Sequence, residues 1–125
     1  MTLKINYGEI WLADFNPQSG TEPGKLRPVL IVQNQVLLDI SHPSTIIVPL
    51  TTNLIEHAEP LRIRIDALLQ LEKDSDLLID QIRSIDNKRL VKGPLAQCSL
   101  QLMVEVQNAI REVLGLDQEK QVVLN

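Results

Sequence analysis

Two histidines and one cysteine leave this chain few of the usual proton carriers and metal ligands, so its chemistry falls to arginines, hydroxyls and carboxylates. Arg27 is the first candidate. It closes a long Gly- and Pro-bearing loop, residues 16–26, and stands directly before PVLIV at 28–32, a β-branched apolar run that reads as a buried strand beginning with a tolerated proline. A guanidinium at that point is always charged and presents a planar fork suited to bidentate phosphate contact. Loops of this length in compact domains tend to be functional, and this one carries Glu22 opposite Lys25 and Arg27. Thr51, after the apolar run 45–50, supplies a hydroxyl, and Asp80, in the run DLLIDQIR at 76–83, supplies a carboxylate able to accept a proton.

The remaining chemistry-bearing residues have blander readings beside the functional ones. His42 and His57 fall in loops, where a solvated side chain is the simpler account, and the lone Cys98 excludes an internal disulfide and reads as a small buried hydrophobe. No His/Cys cluster has zinc-ligand spacing, so neither metal nor cofactor is expected. Arg62 and Arg64 alternate with Ile63 and Ile65, which puts the two arginines side by side on one face. They are either solvated edge charges that block aggregation or a local basic patch. Trp11 and Phe15 could stack on bases, or simply pack in the core.

Positioning these groups falls to short strands. Tyr7, Glu9, Trp11, Ala13 and Phe15 share one face of the first run while Ile10 and Leu12 take the other. Residues 28–32, 45–50, 61–65 and 76–82 read as further strands, the third run edged or ended by Pro49 and the fourth turning Leu61, Ile63 and Ile65 inward. Residues 35–44 and 54–60 read as loops, 66–73 as room for a helical turn, 86–90 as a short helical turn or loop, and 91–96 as an extended edge. From Ser99 the period changes: Leu102, Val106, Ala109, Ile110, Val113 and Leu114 recur at helical spacing, with Ser99 as N-cap and Gly115 as stop. The fold class expected is mainly β with a C-terminal helix, a small curled antiparallel barrel.

At 125 residues the chain has the size of one domain. Its formal charge of −4 and pI of about 5.1 deny it a global electrostatic footprint for nucleic acid, so any such site must be a local basic cluster. No secretory leader and no membrane-length apolar run is visible, and a cytoplasmic protein without membrane contact is expected.

Four stretches in order, GEIWLADFNPQSGTE, GKLRPVLIVQN, VPLTTN and LLIDQIRSID, resemble the motifs of the MazF/PemK family, the toxins of type II toxin–antitoxin modules. The resemblance covers residues 8–90, and the terminal helix falls where the family has one. It implies an SH3-like barrel over residues 1–125, a homodimer, and a metal-independent endoribonuclease that cuts single-stranded RNA at short sequences and is neutralised by a cognate antitoxin. The family's catalytic arginine and threonine fall on Arg27 and Thr51. Cleavage of that kind uses the adjacent 2′-hydroxyl as nucleophile, so a proton must be taken, a phosphorane stabilised and the departing 5′-oxygen protonated. Arginine, with a pKa above about 12, serves there by charge and not as a base. Asp80 is the motif carboxylate for the proton, or else a salt-bridge partner of Arg83 or Arg27, and one branch of the family has an arginine where this chain has Leu78.

RNA-binding roles are expected for Lys25, Gln81, Arg83, Arg62, Arg64 and Trp11. Two copies would place Arg27, Arg62, Arg64 and Arg83 around a shared groove, where an acidic antitoxin segment would compete. A gyrase-poisoning toxin of the same fold and a catalytically inactive protein-binding barrel are the alternatives. The combination of Arg27, Thr51 and the Asp80-Gln81 pair favours the nuclease.

Overall fold

The computed structural model describes residues 4–15, 25–67 and 71–117. Most of the long loop at 16–26, part of the 66–73 stretch and the tail from 118 lie outside the described residues. Among the described residues seven strands form one sheet: β1 (Glu9–Asp14), β2 (Leu26–Ile31), β3 (Ser44–Thr51), β4 (Arg62–Ile65), β5 (Ser75–Leu78), β6 (Arg83–Asp86) and β7 (Leu90–Gln97). Every pairing is antiparallel and the order is β4-β5-β3-β2-β1-β7, with β6 also on β3. The sheet is the small SH3-like barrel expected, with its ladder open between β4 and β7 among the described residues.

Both faces of the sheet are covered, which is why β2 is apolar without alternation. On one face Ile10, Leu30, Val48, Leu50 and Leu77 pack with a helix, α2 (Leu100–Leu114); on the other Trp11, Ala13, Val29, Ile31 and Ile47 form a second cluster. In α2 the side chains buried are Met103, Val106 and Ala109, with Leu102, Ile110 and Val113 half-buried. Leu114, expected inward, is 52 % exposed. Ser99 Oγ accepts the Leu102 N–H at 3.1 Å and Gly115 closes the helix at φ 68°, so both ends are set by the residues that signalled them.

Four departures from the sequence reading have physical causes. Residues 35–44 are not all loop: Asn34 accepts the Val36 N–H at 2.8 Å and caps a five-residue helix, α1 (Gln35–Asp39), too short to show a period. The run at 76–82 is not one strand, because a 3₁₀ turn at Ile79–Gln81 breaks it. β5 and β6 thereby pair with successive parts of β3, β6 with Ser44–Ile47 and β5 with Leu50 and Thr51. Pro49 does not end β3 but falls in the gap between those two ladders. Ile46 directs its carbonyl to β2, so by alternation the nitrogen of Pro49 points into that gap, where no hydrogen bond is missed. Leu61 precedes β4 and is 49 % exposed, while Ile63 and Ile65 are buried as expected.

A close approach fixes the β1–β7 seam. A Cβ built on Gly93 would collide with the indole of Trp11, whose ring is buried. Gly93→Ala should therefore destabilise the protein by about 1–3 kcal/mol through displacement of that ring. Thermal unfolding followed by the emission of Trp11, the single tryptophan, reads it; an unchanged midpoint would contradict the packing described.

Candidate active site

Arg27 lies at the start of β2, opposite Ala13 of β1. Val29 to Ile31 beyond it are fully buried and anchor the strand, which leaves Arg27 exposed at its end, without a side-chain partner among the described residues. The turn at Ile79–Gln81 delivers the second part of the site. Ile79 is its buried anchor, so Asp80 and Gln81 are pushed to the surface and Arg83 opens β6 opposite Ile47. Phe15, Lys25, Arg27, Gln81, Ile82 and Arg83 then line one cleft of about 480 Å³, together with Pro49. The Arg83 guanidinium carbon sits 4.6 Å from the centroid of the Phe15 ring, a cation–π contact that holds its charge at the wall. Among the described residues three cations and no carboxylate line this cleft. Local sign there is positive although the chain is −4.

Thr51 is the last residue of β3. The β2–β3 register sets Val29 opposite Pro49, and carried two residues further it brings Arg27 and Thr51 to the same end of the sheet. Thr51 and Thr52 border a second cleft of about 550 Å³, lined also by Leu12, Pro28 and Leu50 and carrying Glu72, Lys73 and Lys92. Arg27 and Pro28, adjacent in β2, open into the two clefts. Thr51 Oγ1 accepts the Asn53 N–H at 3.1 Å.

Other expected site residues are placed elsewhere. Asp80 is exposed beside Gln81 but does not line the cleft, and it forms no described ion pair with Arg27 or Arg83. Trp11 is 4 % exposed and its Nε1 donates to the buried carboxylate of Glu9 at 3.0 Å, so its ring is core and not a stacking surface. Arg62 and Arg64 are neither solvated edge charges nor a free basic patch. Both are bound to Asp76, at 3.1 and 2.5 Å, and Arg64 also to Glu56 at 2.9 Å. Hydrogen bonds that Arg64 donates to Asp76 and then to Glu56 push its pKa further up. Burial pushes the Asp76 carboxyl up, but hydrogen bonds from Arg64, the Ile55 N–H and Arg62 outweigh it and hold the group below the usual carboxylate range. His42 and His57 are exposed. Burial raises the Cys98 thiol to about 11, so it is protonated near neutral pH and makes a poor nucleophile. Among the described residues no three His, Cys, Asp or Glu side chains converge as a metal site, and no helix is long and apolar enough to cross a membrane.

The sequence reading missed Asp76 as a partner of the arginines. Its signal was present: an acid at the head of an apolar run, after a strand of the form Arg-x-Arg.

A family model described as PemK-like, MazF-like toxin of type II toxin–antitoxin system matches residues 6–114. The chain is 39 % identical over 114 residues to Endoribonuclease MazF of Staphylococcus epidermidis, covering 90 % of this chain and 93 % of that one. Among solved structures, MazE–MazF from Deinococcus radiodurans shares the fold with a TM-score of 0.74 at 22 % identity, over 90 % of this chain and 98 % of that one. The Mycobacterium tuberculosis toxin MazF-mt6 does so with a TM-score of 0.68 at 20 % identity, over 86 % and 96 %. Motif order, fold and similarity over nearly the whole described chain agree, and the chain belongs to the PemK-like, MazF-like toxin family of type II toxin–antitoxin systems.

Proposed function

We propose that this protein is the toxin of a type II pair and cleaves single-stranded RNA by metal-independent attack of the 2′-hydroxyl. The observation that carries the reading is the cleft of Lys25, Arg27 and Arg83, three cations with no lining carboxylate among the described residues, in an acidic chain. An anion-binding cleft is what a phosphodiester substrate requires, and the name of the 39 % identical relative, an endoribonuclease, supports RNA as that substrate.

In this reading Arg27 takes the scissile phosphate bidentately, and its charge stabilises the phosphorane as the 2′-oxygen bonds to phosphorus. The Thr51 hydroxyl donates to a phosphate oxygen. Asp80, on the turn that carries Gln81 into the cleft, takes the 2′-hydroxyl proton. The bond to the 5′-oxygen breaks, leaving a 2′,3′-cyclic phosphate and, after protonation, a 5′-hydroxyl. Lys25, Gln81 and Arg83 hold the flanking nucleotides. Two copies of the chain form the working dimer, in the cytoplasm, and a cognate antitoxin neutralises them by covering the positive cleft with an acidic segment. A structural neighbour, an endoribonuclease in complex with its cognate antitoxin from a mycobacterial species, supports that partner.

Incubation of the purified protein with a long single-stranded RNA in EDTA should yield fragments ending in 2′,3′-cyclic phosphate and 5′-hydroxyl. An RNA carrying one 2′-deoxy residue at the cut should survive intact. Cleavage of the deoxy substrate, or a requirement for Mg²⁺, would replace this mechanism with attack by water.

A further inference from the structure

Behind Thr51 lies an ionic cluster, centred on a buried carboxylate, that the cleft itself does not use. Asp76 is 1 % exposed and stands opposite Thr51 in the β3–β5 register. Its Oδ2 accepts the Ile55 N–H at 3.0 Å and Arg62 Nη1 at 3.1 Å, and its Oδ1 accepts Arg64 Nε at 2.5 Å. Both arginines reach past the carboxylate to the chain that leaves β3. Arg62 Nη1 donates to Asn53 O at 2.8 Å, and Arg64 donates to Ile55 O at 3.3 Å and Glu56 Oε1 at 2.9 Å. Asn53, Leu54, Ile55 and Glu56 are all exposed, so little apolar burial holds them. Segments of that kind open at low free energy unless polar contacts tie them.

The tie ends on Thr51. Arg62 fixes the Asn53 carbonyl, and the N–H of Asn53 is given to Thr51 Oγ1. A hydroxyl has one proton and two lone pairs. With a lone pair filled from Asn53, the Thr51 hydroxyl is turned so that its own proton goes elsewhere. Ion pairs around a buried carboxylate are weak support for stability compared with apolar packing of the same volume, which leaves geometry as their more useful product.

We infer that Asp76 is a positioning residue for catalysis: through Arg62 and Asn53 it orients the Thr51 hydroxyl to donate to the scissile phosphate. This rests on the role given to Thr51 above. The hydrogen bonds that keep Asp76 ionised also keep the clasp charged at neutral pH.

The test is single-turnover cleavage of a long single-stranded RNA by Thr51→Val, Asp76→Asn, Arg62→Met and the doubles that combine each clasp variant with Thr51→Val. Asp76→Asn and Arg62→Met should each slow the cleavage step on the order of 10- to 100-fold with RNA affinity unchanged. In the Thr51→Val background neither should slow it further, because residues acting as a unit are not additive. Arg62→Met keeps a neutral Asp76–Arg64 pair, so it decides the matter if Asp76→Asn does not fold. Wild-type cleavage by Thr51→Val would overturn the role of Thr51 itself. Impaired Thr51→Val together with wild-type cleavage by Arg62→Met, or equal losses in both backgrounds, would overturn the positioning role alone.

Discussion

Arg27→Ala should lower the RNA cleavage rate by on the order of 10²–10³ in a protein that remains folded. Both halves of that result follow from where the side chain lies. It is exposed at the start of β2, and the strand is held by the ladders to β1 and β3 and by Val29, Leu30 and Ile31, none of which the substitution touches. Surface changes of this kind alter stability by about 0.5 kcal/mol or less. Catalytically the loss is larger because no neighbour can stand in. Arg83 is held on the Phe15 ring and Lys25 lacks the planar fork. Arg27→Lys should restore part of the rate, since charge returns without the bidentate geometry. Single-turnover kinetics beside a thermal melt check both halves; a folded Arg27→Ala protein cutting RNA at near the wild-type rate would remove Arg27 from the mechanism.

How far the sequence could be read depended on the range of the interaction behind each feature. The β1 alternation was legible because side chains on a strand alternate whatever the partner: Ile10 and Leu12 fall in one cluster and Trp11, Ala13 and Phe15 in the other. Tyr7, which precedes β1 and is separated from it by Gly8 at φ 85°, packs with Ile10 and not with Trp11 as expected. The caps of α2 were legible because Ser99 and Gly115 act within one turn. The break at Ile79–Gln81 was not: Leu77, Leu78 and Ile79 stay apolar through it, since all three are buried whether the strand continues or turns. Only the pairing of β5 and β6 with successive parts of β3 requires the turn. Within the site, Arg27 alone looked like any strand-end surface charge. The ordered motifs singled it out, and the cleft then joined it to Gln81 and Arg83. The arginine pair of β4 misled for the opposite reason. Alternation correctly put Arg62 and Arg64 on one face, but their partner lies 12 to 14 residues away and is set by the β4–β5 register.

That correction changes the outcome expected of Arg62→Glu/Arg64→Glu. On a free basic patch the double substitution would weaken RNA binding and flatten its salt dependence. Here it replaces the two cations around Asp76 with carboxylates and adds their charge to that of Glu56. Stranding the buried Asp76 carboxylate alone costs on the order of 3–5 kcal/mol, a large part of the roughly 5–15 kcal/mol by which domains are stable. The double mutant should therefore be mostly unfolded or melt far below wild type, before any question of RNA affinity arises. Replacing all three charges with apolar residues, Arg62→Met/Arg64→Met/Asp76→Leu, should instead leave stability near wild type, because no buried ion is left unpaired and Glu56, which loses Arg64, is exposed to solvent. Denaturant unfolding of the two variants separates these outcomes. A double mutant that folds with an unchanged midpoint and binds RNA less tightly would return Arg62 and Arg64 to the RNA surface.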